Sequence, residues 1–159
     1  MPPTEVLVPL RWSDMDAYGH VNNVQFLRLL EDARVLGLPR WFPQGGYLLD
    51  QGIVVARHEI EYLAPMDYRS EPIAVDLWVT RIGGAAFDLG YVVRDAAGPD
   101  RAAPGAADVG VTTATVYAVA ETSMALYDFA AAGPRRMTRG ERMALDAQRG
   151  ESVPFRRRR

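Results

Sequence analysis

Hydrophobic positions recur along this chain with two different periods. Over residues 23–38, Phe26 or Leu27, Leu30, Ala33 and Gly37 share a face opposite Arg28, Glu31, Asp32 and Arg34. That three-to-four spacing predicts an amphipathic helix. Asn22 or Asn23 can cap its start, and Gly37 followed by Pro39 supplies the stop. From residue 57 onward the period falls to two. His58, Ile60 and Tyr62 alternate with Arg57, Glu59 and Glu61. Ile73, Val75, Leu77 and Val79 alternate with Ala74, Asp76, Trp78 and Thr80, and Phe87, Leu89, Tyr91 and Val93 with Asp88, Gly90, Val92 and Arg94. Such runs predict strands with one face in a core. Gly83-Gly84 between two of them predicts a hairpin turn.

The remaining segments complete the order of elements. Residues 5–12 read as a first strand, followed by a turn rich in Asp, Gly, His and Asn. Residues 39–52, with two prolines and three glycines, read as a loop with room for one helical turn near Leu48. Residues 96–110 are aperiodic and predict another loop. Residues 111–127 predict a long last strand, with Val116, Ala118, Ala120, Thr122, Met124 and Leu126 on one side. Thr138 and Glu141 have capping-box spacing ahead of Met143 and Leu145, which predicts a closing helix. One strand, one long helix and then about four antiparallel strands make an α+β domain, with the helix packed on one sheet because both carry an apolar side. The expected domain spans residues 1–150, and residues 151–159 are expected to form a loose, Arg-rich tail.

Composition narrows the chemistry. A hydrophobic content of 48% with 24% charged residues fits a globular domain. No apolar run approaches the roughly 18 residues of a membrane span. The first residues lack the basic and apolar regions of a secretory signal, so a cytoplasmic location is expected. With no cysteine, disulfides, zinc thiolates and redox thiols are excluded. The net charge of −2 includes four terminal arginines; without them 14 basic residues face 20 acidic ones, a poor platform for nucleic acid. All 18 basic residues are arginine, which excludes Schiff-base chemistry and a P-loop lysine. None of Ser13, Ser70, Ser123 or Ser152 lies in a Gly-x-Ser-x-Gly elbow, and no Gly-x-Gly-x-x-Gly follows a strand. Asp14, Asp16 and His20 lack metal-ligand spacing, so no metal is expected there.

Carboxylate, imidazole, amide and backbone groups are densest over residues 14–23, where the first strand passes into the helix. A helix N-terminus presents unpaired N–H groups that can polarise a carbonyl. A carboxylate on the turn entering that helix can act on the same carbonyl as base or nucleophile. The same residue types also suit an ordinary turn and cap, so the residues by themselves leave both readings open.

Arg11-Trp12-Ser13-Asp14-Met15-Asp16-Ala17-Tyr18-Gly19-His20-Val21-Asn22-Asn23, with Phe26-Leu27 and Glu31-Asp32-Ala33-Arg34, resembles the signature of the 4-hydroxybenzoyl-CoA thioesterase-like hot-dog family. Residues 59–66 resemble its second strand, and Tyr127-Asp128 with residues 134–138 resemble its last strand and closing helix. The resemblance implies a hot-dog fold, a long helix wrapped by a curved antiparallel sheet, working as a homodimer or homotetramer. It implies cofactor-free hydrolysis of an acyl-CoA, with Asp16 as general base or nucleophile and the Asn23 N–H polarising the thioester carbonyl. His20 is expected to orient substrate or turn. Tyr18, Gly19, Val21, Asn22 and Tyr62 are expected to line the substrate surface. An acyl carrier protein thioesterase and a non-catalytic acyl-CoA-binding hot-dog module are the competing expectations.

Overall fold

The computed structural model describes residues 2–42, 52–96 and 114–156. Its elements are β1 (Thr4–Val8), α1 (Asn23–Gly37), β2 (Ile53–Tyr62), β3 (Ile73–Ile82), β4 (Ala86–Asp95), β5 (Val116–Asp128), the short β6 (Gly133–Pro134) and α2 (Arg139–Asp146). The strands pair antiparallel in the order β1-β3-β4-β5-β2, with β6 added beside β5. The sheet curls around α1, which is the hot-dog arrangement.

Most period-two positions face as the pattern predicts; Val116 does not, because the β4–β5 register shifts between Val93 and Arg94 and turns it to the outer face beside Trp78 and Val119. Val6 and Val8, the Ile73-to-Val79 set, the Phe87-to-Val93 set, and Ala118, Ala120, Met124 and Leu126 form the inner face. Phe26, Leu29, Leu30 and Ala33 of α1 pack onto it. At Gly37 the helix comes so close that a Cβ would lie 2.9 Å from Leu77 Cδ2, so this position takes glycine despite its low helix propensity. Thr138 and Glu141 form the capping box expected at the start of α2.

Several features differ from the pattern. β1 stops at Val8 because Pro9 has no N–H to donate, and Trp12–Asp14 forms a 3-10 turn instead of more strand. Arg34, assigned by periodicity to the polar side of the helix, is 7% exposed. The chain from residue 151, expected to be loose, lies across the outer face of the sheet as far as Arg156. Gly150 N–H donates to Val79 C=O (2.9 Å), Trp78 Nε1 to Glu151 C=O (2.7 Å), and Arg156 N–H to the Glu61 carboxylate (2.8 Å). Val153 is buried there with Trp78 and Val119, and Phe155 packs beside them. Residues 157–159, the turn expected near Leu48, most of the 96–110 loop and the start expected for the last strand lie outside the described residues.

Deleting residues 151–159 should therefore cost about 2–4 kcal/mol of apolar burial. The thermal midpoint should fall by about 5–15 °C. Calorimetry of the truncated chain checks this, and an unchanged midpoint would contradict the packing described.

Candidate active site

The candidate site is assembled by one short closure between β1 and α1. Asp14 is 2% exposed, and its carboxylate accepts hydrogen bonds from the Arg11 N–H (2.7 Å) and the Arg28 guanidinium. Arg28 also pairs with Asp32 one turn further along α1. Met15 and Val21 form an antiparallel bridge, Asn22 N–H donates to Asp14 C=O (2.8 Å), and Asp16 N–H donates to His20 C=O (2.8 Å). These bonds fold residues 15–21 into a tight hairpin. Gly19, near its tip, has φ +82°, a left-handed conformation that suits glycine. Asp16 Oδ1 accepts from Tyr18 N–H (2.8 Å) and, more weakly, His20 N–H (3.4 Å), which completes an Asx turn. Among the described residues, Asp16 Oδ2 carries no hydrogen bond.

The second arm of the closure runs straight into the helix. Asn22 is the N-cap, with φ −61° and ψ 140°, and its Oδ1 accepts from Val24 N–H (3.0 Å). Its carbonyl accepts from Gln25 N–H (2.9 Å). The Asn23 N–H, the first of the helix, has no partner among the described residues, and the residue is exposed. Four such amides are left over at every helix start, and here Asn22 takes two of them, those of Val24 and Gln25. Tyr62, at the end of β2, donates its hydroxyl to Asn23 C=O (3.0 Å) and sets its ring edge-on to Phe26, with centroids 5.3 Å apart. Burial raises the Tyr62 hydroxyl pKa and the Asn23 hydrogen bond lowers it. The net shift is upward, so the hydroxyl remains a donor.

The other expected residues take different places. Tyr18 is 86% exposed on the hairpin. His20 Nε2 lies 3.7 Å from Asp67 Oδ1, and the backbones of the two residues bridge. Val21 N–H donates to Met66 C=O (2.7 Å), so the segment after β2 clamps the hairpin. Val21 does not line an open surface with its side chain, which sits in the core at 5% exposed. It touches the site through its backbone. Tyr62 spends its hydroxyl on the helix rather than pointing it at a ligand. Asp14 and Asp16 do not converge with His20 on a metal, since the Asp14 carboxylate is turned inward onto Arg28.

Arg28, Met66 and Asp67 hold the site without having stood out in the sequence; the opposite charges of Asp14 and Arg28 were the one available signal. A second polar group lies deeper, between α1 and the sheet. Arg34 Nη1 donates to the Tyr91 hydroxyl (3.3 Å), and His58 Nδ1 is 2.9 Å from Thr122 Oγ1. Burial, followed by the charge of Arg34, holds the His58 imidazole below its ordinary pKa, while Glu31 acts in the opposite direction.

Replacing Arg28 with methionine strands a buried carboxylate. Arg28→Met should cost about 3–5 kcal/mol, read by urea denaturation; a change below about 1 kcal/mol would mean that Asp14 is not held by this pair. His58 binds its proton more readily in the unfolded chain, so stability should fall as pH drops through its ordinary value of 6.5. His58→Gln should flatten that limb of the stability–pH curve, and an unchanged slope would assign it to other groups.

Among curated proteins none matches the chain. Among solved structures, a predicted thioesterase from Bacillus stearothermophilus superposes with a TM-score of 0.72 at 18% identity, covering 93% of this chain and 97% of that one. A thioesterase complexed with coenzyme A and Zn from Thermus thermophilus gives 0.69 at 23% identity, covering 92% and 94%. A 1,4-dihydroxy-2-naphthoyl-CoA thioesterase from Synechocystis gives 0.66 at 18%, covering 91% and 95%. These likenesses are of fold. Residues 10–155 match the family profile described as the thioesterase-like superfamily, and the chain belongs to that superfamily.

Proposed function

We propose that this thioesterase hydrolyses an acyl-CoA, with the thioester carbonyl placed at the start of α1. The observation that carries the reading is the exposed Asn23 N–H on the same closure as Asp16 Oδ2, neither having a hydrogen-bond partner among the described residues. The amide donates to the carbonyl oxygen, and the positive end of the helix dipole favours the charge that grows there. The Asp16 carboxylate then acts on the carbonyl carbon directly, or takes a proton from the water that attacks it. The carbon–sulfur bond breaks, water supplies the acid oxygen, and CoA leaves as its thiol. Gly19, His20 and Asn22 shape the approach around the hairpin, Tyr18 is exposed to meet the CoA arm, and Tyr62 holds the helix start in position.

Coenzyme A in the Thermus thermophilus relative supports this substrate class. β2 ends the sheet and pairs with β5 alone among the described strands, so one of its edges is open. A second copy of the chain paired there would shelter that edge and bring two sites close to one interface, as expected for a homodimer or a pair of dimers.

Thiol release from short, medium, long and aromatic CoA thioesters, with wild type beside Asp16→Asn, tests the reading. Turnover of at least one class with a fall of ~10² or more in the variant is expected. Tight binding without turnover would instead favour a non-catalytic acyl-CoA module. Turnover confined to acyl carrier protein would replace the CoA part of the proposal, and equal rates in both proteins would remove Asp16 from the chemistry.

A further inference from the structure

On the concave side of the sheet α1 and β2 face each other, with chemically different groups at the two ends of the shared stretch. The backbone of α1 comes closest to β1 and β3, at the other side of the sheet from β2. Leu27, one turn after Asn23 on the same side of the helix, and Ile60, on the same face of β2 as His58 and Tyr62, are both half-buried against the core. One end is bridged by the hydrogen bond from Tyr62 to Asn23 C=O. Arg34 lies eleven residues after Asn23, close to three full turns and so on nearly the same side of the helix, about 16 Å along its axis. His58 lies four residues before Tyr62, about 13 Å back along β2. Arg34 and His58 therefore mark the far end together.

Arg34 is anomalous among the buried charges. Asp14, Asp88 and Glu141 are each nearly buried, and each has a guanidinium partner in Arg28, Arg81 and Arg135 respectively. Arg34 is 7% exposed, yet no ion pair with it exists among the described residues, and its hydrogen bond goes to a neutral hydroxyl, that of Tyr91. Glu31, one turn earlier on α1, is exposed and does not pair with it. A buried cation without a counter-charge is costly, and a guanidinium presents a fork that matches a carboxylate.

We propose that Arg34, with His58 beside it, binds a carboxylate at the far end of the acyl group, so that the preferred substrates are CoA mono-thioesters of extended dicarboxylic acids. The inference rests on the thioesterase reading in placing the carbonyl at Asn23, and the free oxygens of the distal carboxylate supply the anion that Arg34 lacks among the described residues. Thr122 and Tyr91, both fully buried, fix the His58 imidazole and the guanidinium by hydrogen bonds.

The test compares two series of CoA thioesters matched in chain length, one ending in a carboxylate and one in a methyl group. Binding to Asp16→Asn is measured by calorimetry, and kcat/KM by thiol release with the active enzyme. At the length that spans from Asn23 to Arg34, the carboxylate series should win by about tenfold or more in both assays. Arg34→Gln should erase that ratio through KM, while Arg34→Lys, which keeps the charge but loses the fork, should retain part of it. Wild type that treats both series alike overturns the proposal whatever the variants do. So does an Arg34→Gln variant that weakens both series equally, which would make the residue structural. If neither series turns over but the binding preference holds, the subsite stands and the hydrolytic reading falls.

Discussion

The buried carboxylate of Asp14, gripped by the Arg11 amide and the Arg28 guanidinium, is the contact on which the geometry of the site depends. Asp14 precedes the hairpin and Arg28 lies in the second turn of α1, so their pairing ties the entrance of the turn to the helix that follows it. The Asp14 carbonyl takes the Asn22 N–H, which sets the cap, and the cap sets Asn23 as the first helical amide. A buried ion pair adds little net stability compared with well-packed apolar groups. Its effect here is positional: it fixes which N–H is left over and where the Asp16 carboxylate stands relative to it.

The rest of the molecule secures the same few atoms from the other side. Val21 bonds to Met66, His20 bridges to Asp67, and Tyr62 reaches the Asn23 carbonyl, so the segment leaving β2 holds both arms of the closure. Packing of α1 onto the inner sheet face prevents the helix from sliding, and the close approach at Gly37 fixes its far end. The proposed site, one backbone amide and one carboxylate, needs this rigidity, because neither group can adjust by a change of rotamer in another residue.

Much of the fold could be read from periodicity because each strand has one apolar face, and a period of two leaves no freedom in assigning it. The inner sets on β3 and β4 are those that the alternation marks. What escaped was set by contacts distant in sequence. Arg34 looks like a surface residue on a helical wheel, but the curl of the sheet carries it under β2 and β4 to meet Tyr91. Val153 and Phe155 are too short a hydrophobic signal to announce that the tail covers Trp78 on the outer face. Within the candidate site, the turn that carries Asp16 and the Asn22 cap ahead of Asn23 were legible from residue types, while the roles given to them are those proposed above. The clamp by Met66 and Asp67 was not, since it is made by backbone groups that carry no sequence signal.

The central claim is that residue 23 acts through its backbone N–H, and proline substitution tests it most directly. Proline fits the first position of a helix, and Asn22, at φ −61° and ψ 140°, already has the conformation favoured before it. Asn23→Pro therefore removes the amide donor while keeping the carbonyl that Tyr62 holds, and Asn23→Ala removes the side chain alone. The measurement is kcat for both variants on the best CoA thioester, with thermal midpoints recorded alongside. The account predicts near-native kcat for Asn23→Ala and a loss of about 10²–10³ for Asn23→Pro at a similar midpoint. A folded Asn23→Pro enzyme that keeps its kcat would contradict it.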